Sequence, residues 1–152
     1  MKKEMNDPKY VYADILIALA QIDDHVDDRE KEVLDSIFSK MELDPEITKQ
    51  MWMTPRTMDV VESILKDIED SYYKRCLLKD CYLVAYADEK LVPEESKFIQ
   101  NIRSTLNLGY EVEEDIHQWV KTAISLNQKE QDLFCPPSYE TQTEKNNKNI
   151  EM

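Results

Sequence analysis

The stretch 22-IDDHVDDREKE-32 has a counterpart 65 positions later, 87-ADEKLVPEESK-97. Each copy begins where one apolar helical pattern stops and ends where the next one starts. A shift of 65 positions gives six identities in the 25 positions from Leu19 to Leu43, whereas average composition, at roughly 6% per position, would give one or two. We therefore predict two related helical halves, about residues 8–43 and 73–108, with pseudo-two-fold symmetry.

Apolar residues recur with helical period along most of the chain, and the connections between the periodic segments are short. The 152 residues include a single glycine, which argues against tight hairpins and excludes the Rossmann and P-loop phosphate-binding fingerprints. The predicted fold is all-α, a single compact domain of about seven helices. The expected helices are, approximately, residues 8–22, 28–41, 45–53, 55–68, 71–87, 93–106 and 111–126.

The two ends of the chain differ from this helical part. Residues 1–7 are expected to be a flexible N-terminus, followed by the helical domain over residues 8–126. From residue 127 the sequence is polar, interrupted by prolines and without period, which is typical of a disordered tail. We therefore predict that residues 127–152 lie outside the folded domain.

The net charge of −13 limits the classes of partner. A chain this acidic is repelled by nucleic-acid backbones and anionic membrane surfaces, and attracts cations and basic protein surfaces. The first ten residues hold no apolar core of a signal peptide, and no later run is long enough to span a membrane. Three cysteines without CxxC spacing indicate reduced thiols. A cytoplasmic protein without membrane insertion is the expectation.

The acids of the two repeated stretches have two interpretations. Asp27 and Glu30 form the sequence of a capping box, in which side-chain oxygens accept backbone N–H groups at a helix start. Asp23 and Asp88 are expected at helix C-terminal ends, where the macrodipole disfavours negative charge. Backbone hydrogen bonds in the turn, or a bound Ca²⁺ or Mg²⁺, would explain them. The candidate metal ligands are Asp23, Asp27, Asp28, Glu30, Asp88 and Glu95.

The spacing of these acids is not that of an EF-hand. Counted from Asp23, the glycine position holds Asp28 and the twelfth position holds Leu34, so the bidentate acid is missing. The second stretch has Val92 and Pro93 in place of Asp27 and Asp28. If one copy alone binds a cation, we expect it to be the first.

The residues 18-ALAQIDDHVDDREKEVL-34 and 84-VAYADEKLVPEESKFI-99 resemble the tellurite-resistance TerB family and its TerB-like relatives. The shared pattern is aliphatic, Ala, Asp, Gly, any, aliphatic and, four residues later, Glu; the glycine is replaced by Asp24 and Glu89. The resemblance implies a compact helical domain over about residues 8–126, with acids proposed to bind divalent cations. It further implies a stress-response role through protein contacts at the cytoplasmic side of the membrane.

Other motifs give few signs of catalysis. His117 has no serine or cysteine in a recognisable nucleophile motif, so we interpret it as structural and the protein as non-catalytic. The string Pro136-Pro137-Ser138-Tyr139 is a PPxY motif, which suits an aromatic groove of the WW type. An adaptor whose helical domain is a scaffold, and whose tail recruits a partner through Pro136, Pro137 and Tyr139, is therefore the alternative to a TerB-like contact and cation-binding module.

Overall fold

The computed structural model describes residues 7–22, 26–54, 56–87 and 91–134, and over these ranges it contains seven α-helices and no strand. The all-α prediction is confirmed. The helices are α1 (Pro8–Ala20), α2 (Asp28–Lys40), α3 (Pro45–Met53), α4 (Met58–Lys66), α5 (Ser71–Ala85), α6 (Pro93–Thr105) and α7 (Tyr110–Phe134).

Helix α1 is the centre of the first compact unit, which extends to His117. Ten of its 13 residues are buried, because the run 15-ILIALA-20 leaves no polar face. It contacts α2, α3 and α4, and packs most extensively on α5. The amphipathic helices α2 and α6 contribute Leu34 and Ile99, which are both fully buried and lie 65 positions apart. Residues from Gln118 onwards belong to a second unit.

Three aspartates that cap helices fix where those helices begin. Asp7, Asp44 and Asp70 accept hydrogen bonds from backbone N–H groups of the first turns of α1, α3 and α5, at 2.9–3.0 Å. Each satisfies a donor that the helix itself cannot pair. Pro8 and Pro45 follow the first two of these caps, as their missing N–H allows.

The internal repeat is present in the backbone from the equivalent ends of α1 and α5, Ala20 and Ala85, onwards. Helix α2 ends with Leu43 N–H bonded to Phe38 O at 3.1 Å, and α6 ends with Leu108 N–H bonded to Arg103 O at 3.2 Å. These are the same Schellman-type ends. The correspondence continues into the third helix of each half, since α3 starts at Pro45 and α7 starts at the equivalent Tyr110. The repeat bounds of about 8–43 and 73–108 and the two-fold axis stay predictions.

Helix α7 differs most from its prediction. It continues to Phe134, eight residues past the expected end at Leu126, so the first eight residues of the predicted tail are helical. The segment 127-NQKEQDLF-134 is rich in good helix formers, and Gln128 Nε2 donates to Asp132 Oδ1 at 3.1 Å across one turn. Pro136 disfavours helical backbone at the residue before it, which explains an end near Phe134.

Candidate functional site

The first repeated acidic turn caps helix α2. Asp27 accepts the backbone N–H of Arg29 at 2.7 Å, and its carboxylate also pairs with the Arg29 side chain at 3.3 Å. Glu30 is only 4% exposed and accepts the Asp27 N–H at 3.4 Å. The capping-box prediction is therefore confirmed in this copy.

The second repeated turn forms only half of a capping box. Glu95 is buried and accepts the backbone N–H of Val92 at 3.2 Å, while the valine side chain has no oxygen to accept a bond in return. Pro93 occupies the first helical position, where its lack of an N–H costs nothing. The two buried glutamates thus have equivalent capping roles 65 positions apart.

The other candidate ligands are not brought together within the described residues. Asp28 is exposed in the first turn of α2, where its negative charge interacts favourably with the helix macrodipole. Asp23 and Asp88 lie outside the described residues. Helix α1 ends at Ala20 and α5 at Ala85, two residues before the expected ends at residues 22 and 87. Among the described residues, no group of three or more His, Cys, Asp or Glu side chains could hold a metal ion. The tail candidates Pro136, Pro137 and Tyr139 also lie outside the described ranges.

An open acidic pocket lies beside α5, α6 and the first two turns of α7. Its volume is about 600 Å³. Four carboxylate side chains contribute to it, three of them exposed and one buried. We call this the acidic pocket; it is lined by Tyr82, Ser96, Gln100, Tyr110, Glu111, Glu113, Glu114, Asp115 and His117.

Glu113 is the buried carboxylate of the pocket, at 6% exposure. Its Oε1 accepts the Tyr82 hydroxyl at 2.9 Å and Gln100 Nε2 at 2.5 Å. Arg103 Nε lies 2.9 Å from its Oε2 as an ion pair, although this N–H is not aligned as a hydrogen bond. A buried charge needs such partners to offset its lost hydration. Burial, together with the bond to Glu113, raises the pKa of Tyr82, which keeps its hydroxyl a donor.

Arg103 also makes two further contacts, one with a backbone oxygen and one with an aromatic ring. Its Nη1 donates to the backbone oxygen of Leu108 at 2.8 Å, and its guanidinium lies 4.0 Å from the ring centroid of Tyr110. The planar, charged group suits both contacts. Tyr110 is nevertheless 71% exposed, so its ring is accessible at the edge of the pocket.

His117 lies between two tyrosines of α5. Its ring stacks on Tyr82, with centroids 4.2 Å apart and planes within 11°. Its Nε2 is 2.8 Å from the Tyr86 hydroxyl. These contacts fit the interpretation of His117 as structural, and they also make its ring a wall of the acidic pocket.

The sequence reasoning missed this cluster, although the repeat contained the signal. The buried Tyr82 replaces Ile17 of the first half, and Arg103 replaces Phe38. Glu113 replaces Thr48 in the same comparison. Two apolar core positions of the first half thus hold polar or charged residues in the second half, and one small polar position holds a charged residue. The polar network around Glu113 therefore has no counterpart at the equivalent positions of the first half.

A second buried polar network joins α1 to its neighbours. Arg56 Nε donates to Asp14 Oδ2 at 2.7 Å. The Tyr12 hydroxyl donates to Asp80. Burial raises the pKa of both aspartates, which Arg56 opposes at Asp14 and Tyr12 and Lys79 oppose at Asp80. Because Asp14 and Asp80 are only 6% and 8% exposed, we interpret the network as structural.

The fold and pocket define an acidic, all-helical domain built on a repeated helix–turn–helix. Its family follows from comparison with known proteins: the family model described as tellurite resistance protein TerB matches residues 11–119, and the chain belongs to that family. Comparison with curated proteins gave no match, and neither did comparison with solved structures. None of the helices within the described ranges is long and apolar enough to cross a membrane.

Proposed function

We propose that this TerB-family protein is a non-catalytic contact module that binds a basic segment of a partner protein at its acidic pocket. The observation that carries the proposal is the pocket's combination of three exposed acids with aromatic walls. The acids are Glu111, Glu114 and Asp115. The aromatic walls come from Tyr82, Tyr110 and His117.

This combination suits lysine and arginine side chains. Their charged ends are attracted by carboxylates, and their apolar stems pack on aromatic rings. The net charge of −13 would guide a basic partner towards the protein before contact. The contact that Tyr110 makes with Arg103 at 4.0 Å is an internal example of the same recognition.

The chemistry of the pocket supports the non-catalytic part of the proposal. Glu113 is engaged by Tyr82, Gln100 and Arg103, and His117 Nε2 lies within hydrogen-bond distance of Tyr86. Burial raises the pKa of the Cys81 thiol, so this cysteine stays protonated and is a poor nucleophile. We assign these groups to structure and binding rather than to acid–base or nucleophilic work.

Calorimetric titration with hexalysine tests the pocket. Glu111→Gln combined with Asp115→Asn removes two pocket charges, and Glu32→Gln combined with Asp59→Asn removes two exposed charges elsewhere. Exposed ion pairs are worth about 0.2–1 kcal/mol each, so the pocket variant should bind about tenfold more weakly than the wild type. The control variant should stay within about twofold of it. Equal weakening in both variants would show a non-specific charge effect and overturn the proposal.

We propose divalent-cation binding at the repeated acidic turns as a second candidate function. It is supported by the burial of Glu30 and Glu95, each of which follows an aspartate, Asp23 or Asp88, by seven residues. Carboxylates of this kind suit Ca²⁺ or Mg²⁺, with Asp27 and Asp28 adding oxygens in the first copy. The capping bonds of both glutamates are the competing explanation.

Thermal unfolding in chelator, and then in Ca²⁺ or Mg²⁺, separates the two explanations. A cation at 100 times its dissociation constant stabilises the folded state by about 2.7 kcal/mol. Asp23→Asn and Asp88→Asn should remove that gain, and Asp59→Asn on α4 is the matched control. If no cation shifts the unfolding of the wild type, the acids serve only as caps.

The family description concerns tellurite resistance, and we propose a stress-response role for this chain. In this proposal the protein acts in the cytoplasm, through a partner protein that is itself associated with the membrane. The acidic surface is suited to a basic juxtamembrane segment of such a partner rather than to anionic lipid.

A further inference from the structure

The end of helix α7 carries apolar side chains that the described structure leaves uncovered. Trp119, Leu126 and Leu133 are 56%, 66% and 71% exposed. All eleven residues from 124 to 134 are exposed, so this part of the helix has no covered face. Exposed helical segments of this length are marginally stable in water, which points to a binding partner.

The three side chains lie on one line along the helix. They are spaced by seven residues, and at 3.6 residues per turn successive members drift by only about 20°. We call Trp119, Leu126 and Leu133 the heptad stripe. Leu126 is its midpoint, with an apolar side chain seven residues to either side.

Leu126 and Leu133 of the heptad stripe lie beyond the region that the family model matches, while Trp119 is its last residue. The family model matches residues 11–119, so α7 continues for 15 residues beyond the match to Phe134.

The charge of the segment limits what can cover it. Residues 118–134 contain Lys121, Lys129, Glu130 and Asp132 and are neutral, whereas the whole chain has a net charge of −13. A basic partner would be drawn to the acidic remainder of the chain, and an anionic lipid surface needs an excess of lysine or arginine. The neutral segment is where two copies of this acidic protein repel each other least.

We propose that the heptad stripe binds the same stripe of a second copy, with the two helices antiparallel. A two-fold interface requires a self-complementary surface, and the symmetry of the stripe about Leu126 provides one. Leu126 then meets Leu126 of the second copy, and each Trp119 meets a Leu133.

The sequence after Phe134 is a poorer occupant of the stripe. Its 18 residues contain few apolar side chains, namely Cys135, Tyr139, Ile150 and Met152, and these have no helical spacing. Two consecutive prolines follow Cys135 directly. An apolar stripe of three large side chains is therefore matched better by its own copy.

Sedimentation of the full chain over a range of concentrations tests the proposal. The apparent mass should rise from 18.0 kDa towards twice that value. Leu126→Asp should remain monomeric at every concentration. Gln131→Asp, which places the same charge about 140° round the helix, should associate like the wild type. A wild type that is monomeric throughout, or equal losses in the two variants, would overturn the proposal.

Disulfide cross-linking tests the antiparallel arrangement. Trp119→Cys and Leu133→Cys are prepared separately with Cys135→Ser, then mixed and oxidised. Covalent dimers should join position 119 of one copy to position 133 of the other. Dimers that join 119 to 119 and 133 to 133 would show a parallel pair and contradict the arrangement. Circular dichroism of each variant confirms that the helices are retained.

Discussion

Glu42 and Asn107 lie 65 positions apart and have the same left-handed backbone, with φ of 58° and 57°. Each follows the capping residue of a long helix, Met41 in α2 and Leu106 in α6. The left-handed conformation is costly for residues with a Cβ, and asparagine tolerates it better than glutamate. The first half therefore has the less suitable residue at an identical turn.

Exchanging these two residue types should change stability in opposite directions. Glu42→Asn should raise the free energy of unfolding by about 0.5 kcal/mol, and Asn107→Glu should lower it by a similar amount. Both side chains are exposed, so packing contributes little to either change. Chemical denaturation of the two variants measures the effect. Changes of the same sign would mean that the turn conformation does not govern stability here.

The hydroxyl of Tyr82 should matter more to stability than that of Tyr86. Tyr82→Phe leaves the buried Glu113 without one of its donors, and a hydrogen bond to a charged group contributes about 1.5–3 kcal/mol. Tyr86→Phe removes a bond to the neutral or charged His117 ring at a half-buried position, which should cost about 0.5–1.5 kcal/mol. Urea unfolding of both variants provides the comparison. A larger loss for Tyr86→Phe would contradict the central role of Glu113.

Patterns that repeat along the chain made much of the fold predictable. Several helix starts follow a local signal, such as the cap and proline of Asp44 and Pro45. Helix α4 is an exception, since it starts at Met58 rather than at the expected residue 55. The 65-residue offset placed equivalent turns correctly, down to the capping role of Glu30. Such features depend on a few neighbouring residues, which a sequence displays directly.

Features that depend on distant residues were not predicted. The partners of Glu113 are Tyr82, Gln100 and Arg103, which come from two other helices. Their polarity at core positions was visible, but periodicity alone does not show which side chains meet. The helix over residues 127–134 was missed for another reason. The prediction relied on the periodic spacing of apolar residues, which this segment lacks, although its residues have high intrinsic helix propensity.

The pH dependence of the free energy of unfolding should show that burial of the Asp80 carboxylate destabilises the folded state. Burial raises its pKa above the ordinary carboxyl value, although the Tyr12 hydroxyl and Lys79, with Lys40 farther away, oppose the shift. Between the ordinary and the raised value the folded state binds more protons than the unfolded state, so this group's contribution to stability falls as pH rises through that window. Asp80→Asn removes the charge and retains an acceptor for Tyr12.

The Asp80→Asn variant should therefore be more stable than the wild type at pH 7, and its advantage should shrink as pH falls towards about 4. Thermal unfolding over this pH range measures the difference. Asp35→Asn, at an exposed position of α2, should show no such trend. A variant less stable than the wild type at pH 7 would mean that the ionised Asp80 stabilises the fold through its partners.

Removing residues 135–152 should separate the contact module from the adaptor alternative. All seven described helices and every residue that lines the acidic pocket precede residue 135. A chain ending at Phe134 should therefore unfold within about 0.5 kcal/mol of the full chain and bind hexalysine with unchanged affinity. It should also retain a protein partner that the full chain captures. Loss of that partner, with hexalysine binding intact, would instead favour the adaptor. Tyr139→Ala in the full chain would then show whether the PPxY motif is responsible, because that motif needs its tyrosine to enter an aromatic groove.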